Sequence, residues 1–463
     1  MNANTPANLT GRLALYLLMA LICLPAFAKA QEAFLPVITD SVYLKAQAGS
    51  YGDRYKQRMK LLPSKHRNDY QEIYNSRWEH VQQVFDKREI YTDKKAMAYM
   101  DRLLTTILQA NPQLDASNIK GYFSRSAVPN ASYIGEGIFL FNLGLLDKME
   151  NESQVAFVIC HELAHYYLQH SENSIRTYVE TVNSPEMQRE LKNIKRSEYG
   201  RNARLDKLAK GIRFNSRRHS RDHEAEADSM AIVLLKRSPF AASEGLTALA
   251  LLDRIDSSSV DMATCLPKTF DAAAYPFKPK WIAKSSGLLG GHATLKRDAA
   301  MADSLKTHPD CSQRIKLLAP AVNGDTKTSK NPLDATTFAE LRARAGREAV
   351  AFTWENKQYT NCLYLLLEQL QHKPADPYLV TQMGQVFNAW HAAQRSHTLS
   401  RYTDSPSPYN DPNYNTLAQF VQNLYLEDVA AVGYHYLAKF QSQLSQHAPY
   451  NETLKESTRI LQQ

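Results

Sequence analysis

The stretch Asn151–His170, NESQVAFVICHELAHYYLQH, decides the fold, because its first half is apolar on every side and its second half carries histidines. Apolar residues on all faces predict a helix in the middle of a domain. We expect it to begin near Asn151, with Gln154 as a capping partner. His161 and His165 then share one face, one turn apart. Polar side chains in a buried helix are costly unless they bind a partner, so the pattern favours a site.

The segment HELAH matches the H-E-x-x-H zinc signature, in which two imidazoles reach one metal ion. Glu162 lies about 100° around the helix from His161, close enough to hold a water beside that metal. A zinc site that works on a substrate needs a third protein ligand and an open position. The metzincin pattern is excluded, because it requires glycine and histidine where this chain has Leu168 and Ser171.

A second predicted helix, SRDHEAEADSMAIVLLKRS, offers the third ligand. Ser220 is a suitable N-cap and Pro239 ends the helix. Glu224 and Asp228 lie one turn apart on one face, whereas Glu226 points elsewhere. We assign Glu224 to the metal. We expect Asp228 to hold the second ring nitrogen of a histidine, which fixes the tautomer of that ring.

The first 30 residues have the pattern of a secretory signal peptide. They contain Arg12 and no acid, then the apolar run LALYLLMALICLPAFA, then Ala28 and Ala30 before Gln31. An uncleaved membrane anchor is the alternative interpretation. No later segment supplies the 18 or so apolar residues of a membrane span. We therefore expect an exported protein of the periplasm or cell envelope.

The rest of the chain predicts a mainly α protein with a small β-sheet (α+β). IKGYFSR and ASYIGEGIFLFN are typical of short strands, with a turn at Gly135–Gly137. The helices after residue 335 resemble tetratricopeptide helix–turn–helix packing, with a generic helical domain as the alternative. The predicted divisions are a signal peptide (1–30), a helical extension (31–86), the metal-binding domain (87–320), a linker (321–334) and a helical, tetratricopeptide-like domain (335–463).

The net charge of +8 is concentrated between residues 187 and 221, which hold twelve basic and three acidic residues. We interpret this segment as a solvated helical insertion. The alternative is a surface for anionic lipid or acidic protein, which would give a peripheral membrane contact. No aromatic interleaving or nucleic-acid motif accompanies the charge, so DNA and RNA are not expected partners.

Four cysteines follow the first 30 residues, and an oxidising compartment would allow a disulfide. Cys265 and Cys311 lie in one irregular stretch, and we expect them to pair. Cys160 precedes a candidate ligand in an apolar helix, so we expect a buried free thiol there.

The order of these motifs resembles a family of zinc metallopeptidases (gluzincins) that includes the CAAX prenyl protease and HtpX. A further segment, THPDCSQRI, is similar to the T-H-P-x-x-x-x-R-I segment of that family. The resemblance covers roughly residues 87–320. The segments that carry it are Asn130-Ala131, Gly137–Leu146, Val158–His170, Ser220–Asp228 and Thr307–Ile315.

The resemblance implies a zincin-type domain that binds one zinc ion per chain through His161, His165 and Glu224. It also implies Glu162 as the catalytic base of an endopeptidase that acts on protein or peptide substrates. The layout is closest to exported BepA-like members with a tetratricopeptide tail. That likeness implies quality control of misfolded or stalled envelope proteins, with outer-membrane or envelope partners recruited by the helical domain.

Several assignments stay open. In such relatives a histidine at the position of His308 can bind the metal as an inhibitory ligand. The alternative is that His308 only begins a helix before Pro309, and His292 is a weaker rival. Arg314 and Tyr166 are candidates for stabilising the oxyanion, and the sequence does not choose between them. His170 lies off the metal face and is expected to be structural.

Two departures from the family pattern matter: the edge-strand segment, and a stretch between Glu224 and His308 that is longer than in BepA-like members and puts the placement of His308 in doubt. Glu136 interrupts the glycine pair expected in the edge-strand segment, where a substrate backbone would pair. A latent or non-proteolytic chaperone or binding protein, acting through the helical domain, is the competing hypothesis. The intact ligand set and Glu162 argue against an inert core but not against latency.

Overall fold

The computed structural model describes residues 34–115, 118–196, 221–255, 260–284, 311–327 and 333–463. Every helix and strand of the described residues belongs to one compact unit, Pro36–Gln463. Within those ranges no helix combines the length and the apolar character that crossing a membrane requires. The predicted signal peptide at residues 1–30 lies outside the described residues.

The described residues are mostly helical with one small sheet, as the sequence predicts. The expected strand pair is in fact three strands, because ASYIGEGIFLFN folds back on itself as a hairpin. Up to residue 322 the elements are α1 (Ser41–Lys60), α2 (Arg67–Asp86), α3 (Lys94–Gln109), β1 (Lys120–Ser124), β2 (Ala131–Gly135), β3 (Ile138–Asn142), α4 (Leu143–Lys148), α5 (Glu152–Tyr167), α6 (His170–Val182), α7 (Pro185–Arg196), α8 (221–237), α9 (Glu244–Ile255), α10 (Met262–Phe270) and α11 (Cys311–Val322).

The last part of the chain, residues 333–463, is a run of helices joined by short loops. Aspartates begin several of them: Asp334 accepts the N–H of Thr337 at 3.0 Å, and Asp376 accepts the N–H of Leu379 at 3.1 Å. These caps satisfy N–H groups that the first turn leaves unpaired. The helices are α12 (Ala335–Glu355), α13 (Tyr359–His372), α14 (Pro377–Arg395), α15 (Pro412–Asn423), α16 (Leu426–Ala438), α17 (Gln441–Leu444) and α18 (Ala448–Leu461).

The sheet has the order β1-β3-β2, so β2 is an edge strand. The central strand β3 pairs in parallel with β1 and antiparallel with β2. One side of β2 therefore has no partner strand within the described residues, and an edge of that kind can accept another extended chain.

The turn between β2 and β3 holds three consecutive residues in the left-handed region. The φ angles are 111° at Gly135, 51° at Glu136 and 80° at Gly137. Glycine adopts such angles without steric cost. At Gly137 the glycine is also required for space, since a Cβ would lie 1.8 Å from the carbonyl oxygen of Asn118. Glu136 is the exception, and its side chain is buried.

Helix α5 carries the HELAH segment and is buried as predicted. Its N-cap is Asn151, whose side chain accepts the N–H of Gln154 at 3.0 Å. Every residue from 152 to 160 is buried, because α3, α9 and strand β2 surround the helix. Each large apolar side chain buried in this way contributes about 1.5–3 kcal/mol to stability.

The N-terminal helices α1 and α2 form a separate apolar cluster with the sheet. Tyr51 of α1 and Phe85 of α2 pack near Tyr122 of β1, and Tyr51 and Tyr122 share a hydrogen bond of 2.9 Å. The extension predicted from the sequence is therefore a helical pair that packs on the sheet. The remaining buried members of the cluster are Leu44, Val81, Val84, Ile90, Ile134, Ile138 and Leu140.

Residues 260–284 pack into the core of the C-terminal helices. Phe270 stacks on Phe420 of α15 with ring centroids 5.4 Å apart, and Trp281 is fully buried in the same cluster. From its mixture of proline, glycine and small residues, this stretch is expected to be an elaborated loop. Its aromatic side chains fill space between helices that lie more than 100 residues later in the chain.

Helix α12 belongs to both apolar cores. Phe338 and Leu341 pack with the buried helix α5 and its neighbours, whereas Val350 packs with the later helices. Close to this junction the buried Arg125 donates hydrogen bonds of 2.6 and 2.8 Å to Glu355. The C-terminal helices thus share their first helix with the core around α5.

The expected disulfide between Cys265 and Cys311 is wrong. Cys160, Cys265, Cys311 and Cys362 are all free and buried. Cys265 lies in the core of the C-terminal helices, whereas Cys311 lies in the core around α5. Closeness in the sequence misled the prediction, because the two cysteines belong to different cores. The buried free thiol expected at Cys160 is confirmed, and burial raises its pKa.

Candidate metal centre

The three predicted ligands come together at one point. Helix α5 supplies His161 and His165, and α8 supplies Glu224. The Nε2 atoms of the two histidines lie 3.0 Å apart, and the Glu224 carboxylate oxygens lie 3.5 Å from the first and 3.3 Å from the second. Ligands bound to one tetrahedral zinc at about 2.05 Å would be about 3.3 Å apart. The donor set and its spacing therefore fit a zinc ion.

The far side of the His161 ring is held by a carboxylate. His161 Nδ1 lies 3.0 Å from Asp228 Oδ1, and Asp228 lies on α8 one turn after Glu224. Arg314 of α11 donates to Asp228 through Nε at 2.6 Å and through Nη2 at 2.8 Å. Since a carboxylate can only accept here, His161 donates from Nδ1 and presents Nε2 to the metal position.

The far side of the His165 ring is held by a histidine. His170, the first residue of α6, places its Nδ1 2.9 Å from the Nδ1 of His165. Its Nε2 lies 3.1 Å from Glu226 Oε2, and its ring stacks on that of His223 with centroids 4.2 Å apart. The interpretation of His170 as a residue off the metal face is thus incomplete, because it contacts a ligand directly. Glu226 points away from the metal ligands, as expected, and toward His170.

The hydrogen bonds between the candidate ligands and their neighbours change the pKa values that matter for binding a cation. Burial acts to lower the pKa of His161, but hydrogen bonds to Asp228 and Glu224 outweigh it and raise that pKa to about 10. Burial acts to raise the pKa of Glu224, yet its hydrogen bonds to His161 and His165 hold that pKa well below its usual range. Metal binding must therefore displace a proton from His161, while the carboxylate is already ionised.

Glu162 faces the edge strand across a cleft. Its Oε2 atom accepts the backbone N–H of Tyr133 in β2 at 2.8 Å. The Tyr133 ring meets Tyr166 of α5 edge to face, with centroids 5.3 Å apart. A cavity of about 450 Å³ lies here, lined by β2 on one side and by the candidate metal ligands on the other. The carboxylate predicted as a base thus lies between the candidate metal ligands and the free edge of the sheet.

The two candidates for stabilising the oxyanion, Arg314 and Tyr166, have different surroundings. Arg314 lines the cavity but is almost fully buried, and its guanidinium is bound by Asp228 and, at 3.2 Å, by Glu224. Tyr166 lies beside the edge strand, in contact with the ring of Tyr133. His308 and His292 fall outside the described residues, as does the predicted N-cap Ser220.

Sequence reasoning missed two partners of the site. The backbone N–H of Tyr133 carries no sequence signal beyond its place in a predicted edge strand. His223, which stacks on His170, could have been found only as the residue directly before the assigned ligand Glu224. His170 itself is the fifth residue after His165, a spacing that would miss the metal face had the helix continued. The chain instead turns at Gln169, whose φ is 54°, and begins a new helix.

Comparison with models of protein families places this site in context. Residues 94–321 match peptidase family M48, whose members are generally zinc-dependent metallopeptidases. The matched range contains the three candidate ligands, Glu162 and Arg314, whereas helices α1 and α2 and the C-terminal helices lie outside it. A comparison with curated proteins gives no match.

Proposed function

Since residues 94–321 match peptidase family M48, we propose that this chain is a zinc-dependent metalloendopeptidase of that family. The observation that carries the proposal is the placement of Glu162. Its carboxylate lies beside the His161, His165 and Glu224 donor set and 2.8 Å from the backbone of the edge strand. A zinc ion held there would supply Lewis acidity toward a peptide carbonyl and a water molecule.

Residues of the chain would supply proton transfer and the positioning of the ligands. Glu162 takes the proton of the attacking water and delivers it to the leaving amine. His161 and His165 hold their tautomers through Asp228 and His170, so their Nε2 atoms stay available. Arg314 already contacts two carboxylates, those of Asp228 and Glu224. We therefore assign it a role in positioning these two residues rather than in contacting an oxyanion.

The substrate we propose is an extended segment of a polypeptide. The unpaired edge of β2 can hydrogen-bond a substrate backbone as an added strand. The N–H of Tyr133, which donates to Glu162 here, is one donor on that edge and would donate to a substrate carbonyl instead. Recognition through the backbone suits an enzyme that cleaves unfolded proteins of many sequences.

We further propose that the enzyme acts in the cell envelope, in quality control of misfolded or stalled proteins. The signal-peptide pattern of residues 1–30 supports export. The tail supports recruitment of protein partners, because its consecutive helices α12, α13 and α14 pack against one another in the manner of helical repeats. We regard this tail as tetratricopeptide-like.

A non-proteolytic binding role is the second candidate. It is favoured by a cavity of about 900 Å³ lined by Lys148, Arg254, Tyr364 and Asp404, among others. These residues come from both the metal-binding part and the C-terminal helices, so a bound segment could be held without being cleaved.

Cleavage of casein by the purified protein, compared with the Glu162→Gln variant, tests the proposal. Wild type should cleave and Glu162→Gln should lose at least about 100-fold, the contribution of a general base, with equal zinc content in both. Glu180→Gln, an exposed glutamate on the next helix, is the control and should retain full activity. Equal activity of Glu162→Gln and wild type would overturn the mechanism. Zinc-loaded protein that binds casein without cleaving it would favour the binding role.

A further inference from the structure

Two arginines from the N-terminal helices each contact the same two glutamates. Arg58 of α1 lies 3.0 Å from Glu136 and 3.3 Å from Glu172. Arg77 of α2 lies 3.7 Å from Glu136 and 3.1 Å from Glu172. Tyr74 completes the group, because its hydroxyl donates to Glu172 and both guanidinium groups lie over its ring.

The two glutamates belong to or adjoin elements that line the cleft from opposite sides, β2 and α6. Glu136 is the central residue of the turn that ends β2, the strand whose Tyr133 N–H meets Glu162. Glu172 lies in the first turn of α6, two residues after His170, which holds the candidate ligand His165. The arginines therefore join the edge strand to the helix that supports the metal ligands.

Because Glu136 is buried, its carboxylate needs the two arginines as ionic partners. Its side chain is only 5 % exposed, so its charge depends on the two arginines. The left-handed turn brings the backbone close to Arg77 as well, since a Cβ on Gly135 would lie 2.8 Å from Arg77 Nε. Arg54 adds a hydrogen bond of 3.1 Å from its guanidinium to the backbone oxygen of Glu136. The turn is thus held by side chain and backbone together.

We propose that Arg58 and Arg77 are positioning residues that fix the separation between edge strand β2 and helix α5, and so determine how an extended substrate is held over Glu162. The proposal rests on the proposed peptidase function. Both arginines precede the family match, which begins at residue 94. The device would thus be supplied by the extension rather than by the matched domain.

The cluster also explains why a glutamate interrupts the expected glycine pair. A third glycine at position 136 would fit the turn but would leave β2 without its ionic connection to α1 and α2. A non-glycine residue in the left-handed region is strained, but the ion pairs of Glu136 hold the strand at a fixed distance from the opposite wall.

The kinetic test replaces both arginines, as Arg58→Gln/Arg77→Gln. The edge strand would hold the substrate backbone equally before and during reaction, so its displacement should raise KM about tenfold and change kcat by less than about twofold. The Arg58→Lys/Arg77→Lys variant keeps the charges and should recover part of the KM. An unchanged KM in the glutamine variant, with the cluster removed, would overturn the proposal.

Arg347→Gln is the matched control. Arg347 pairs with Asp376 among the C-terminal helices, and the two side chains are 14 % and 5 % exposed, against 15 % and 5 % for Arg77 and Glu136. A general loss of stability would reduce the folded fraction, and so the apparent kcat, in both variants without raising KM. An effect on KM confined to the Arg58 and Arg77 variant supports a role in the cleft, whereas an equal effect in the control refutes it.

Hydrogen exchange separates failure of this proposal from failure of the proposed function, because it requires no activity. Amides of residues 131–135 should exchange about tenfold faster in Arg58→Gln/Arg77→Gln than in wild type, while α5 amides keep their protection. The single variant Arg77→Gln, which retains Arg58 on both glutamates, should show a smaller change in the same direction if the double variant fails to fold. Unaltered exchange in β2 would overturn the proposal even if the wild type proves to be a peptidase.

Discussion

The Nδ1 atom of His170 lies 2.9 Å from the Nδ1 atom of His165, and this contact fixes which nitrogen of His165 can bind a metal. The other nitrogen of His170 faces Glu226, which as a carboxylate can only accept. His170 therefore carries its proton on Nε2 and accepts at Nδ1. It follows that His165 donates from Nδ1 and has a lone pair on Nε2, toward His161 and Glu224.

Replacement of His170 should weaken zinc binding. Without an acceptor at its Nδ1, His165 loses both its tautomer preference and its orientation, and we expect His170→Ala to reduce zinc affinity about 10- to 100-fold. Competition with a chelator of known affinity measures this. His391→Ala is the control, since His391 is similarly buried among the C-terminal helices and should leave zinc affinity unchanged. Affinity within about twofold of wild type in His170→Ala would contradict the assignment.

Replacement of Arg314 distinguishes a structural role from an oxyanion role. Asp228 is 1 % exposed, so Arg314→Gln leaves a buried carboxylate without its main partner and should cost about 3–5 kcal/mol of unfolding free energy. Urea unfolding of the metal-free protein measures the loss. Lys316→Gln, an exposed change on the same helix, should have no effect.

An oxyanion contact would give the opposite pattern for Arg314→Gln. The unfolding free energy and zinc content would then match those of wild type, while kcat alone would fall about 100- to 1000-fold. That result would show that the guanidinium leaves Asp228 during the reaction.

The parts of the site that could be predicted are those set by local geometry. His161 and His165 share a face because a helix repeats every 3.6 residues, and Glu224 and Asp228 share a face for the same reason. Gly135 and Gly137 mark the turn because glycine alone tolerates its backbone angles at no cost. In each case the physical rule acts within a few residues of the chain.

The parts that could not be predicted depend on long-range packing. Arg58 and Glu172 are 114 residues apart, and no local pattern pairs them. Trp281 lies in a stretch without periodicity, and its burial is decided by helices that follow much later. Cys265 and Cys311 were paired on closeness in sequence, although each is buried in a different core. Charge and aromatic content indicate that such residues need partners but not which ones.

The ion pairs of Glu172 with Arg58 and Arg77, and its hydrogen bond from Tyr74, should make stability depend on pH. Burial acts to raise the pKa of Glu172, but Arg77, Tyr74 and Arg58 outweigh it and lower that pKa below its usual value near 4.5. A group whose pKa is lowered by folding stabilises the protein above its unfolded pKa, and this contribution disappears as the pH falls through the folded pKa. The melting temperature of Glu172→Gln should therefore lie below that of wild type at pH 7, and the gap should close as the pH falls through the lowered pKa of Glu172, below 4.5.

Calorimetry of both proteins between pH 7 and pH 3 measures that gap. Glu180→Gln, eight residues later on α6 and exposed, should show no gap at any pH. A gap for Glu172→Gln that stays constant or widens on acidification would mean that the ionised carboxylate does not stabilise the folded protein.

Trp281 tests whether residues 260–284 are part of the C-terminal core. Its side chain is fully buried, its ring meets Phe420 edge to face at 6.3 Å, and the side-chain amide of Asn423 donates to its backbone oxygen at 3.1 Å. Trp281→Ala removes the largest side chain that this segment contributes and should lower the unfolding free energy by about 3–5 kcal/mol. Urea unfolding followed by circular dichroism measures the loss without relying on the tryptophan signal.

The neighbouring Lys280→Ala change is the control, because Lys280 is exposed and its removal leaves the core intact. We expect it to alter the unfolding free energy by no more than about 0.5 kcal/mol. If Trp281→Ala were equally mild, residues 260–284 would be a surface loop laid over a core that is complete without them. A large loss in Trp281→Ala alone instead means that the C-terminal helices need this segment in order to fold. The chain between α9 and α11 would then join the two cores energetically as well as in sequence.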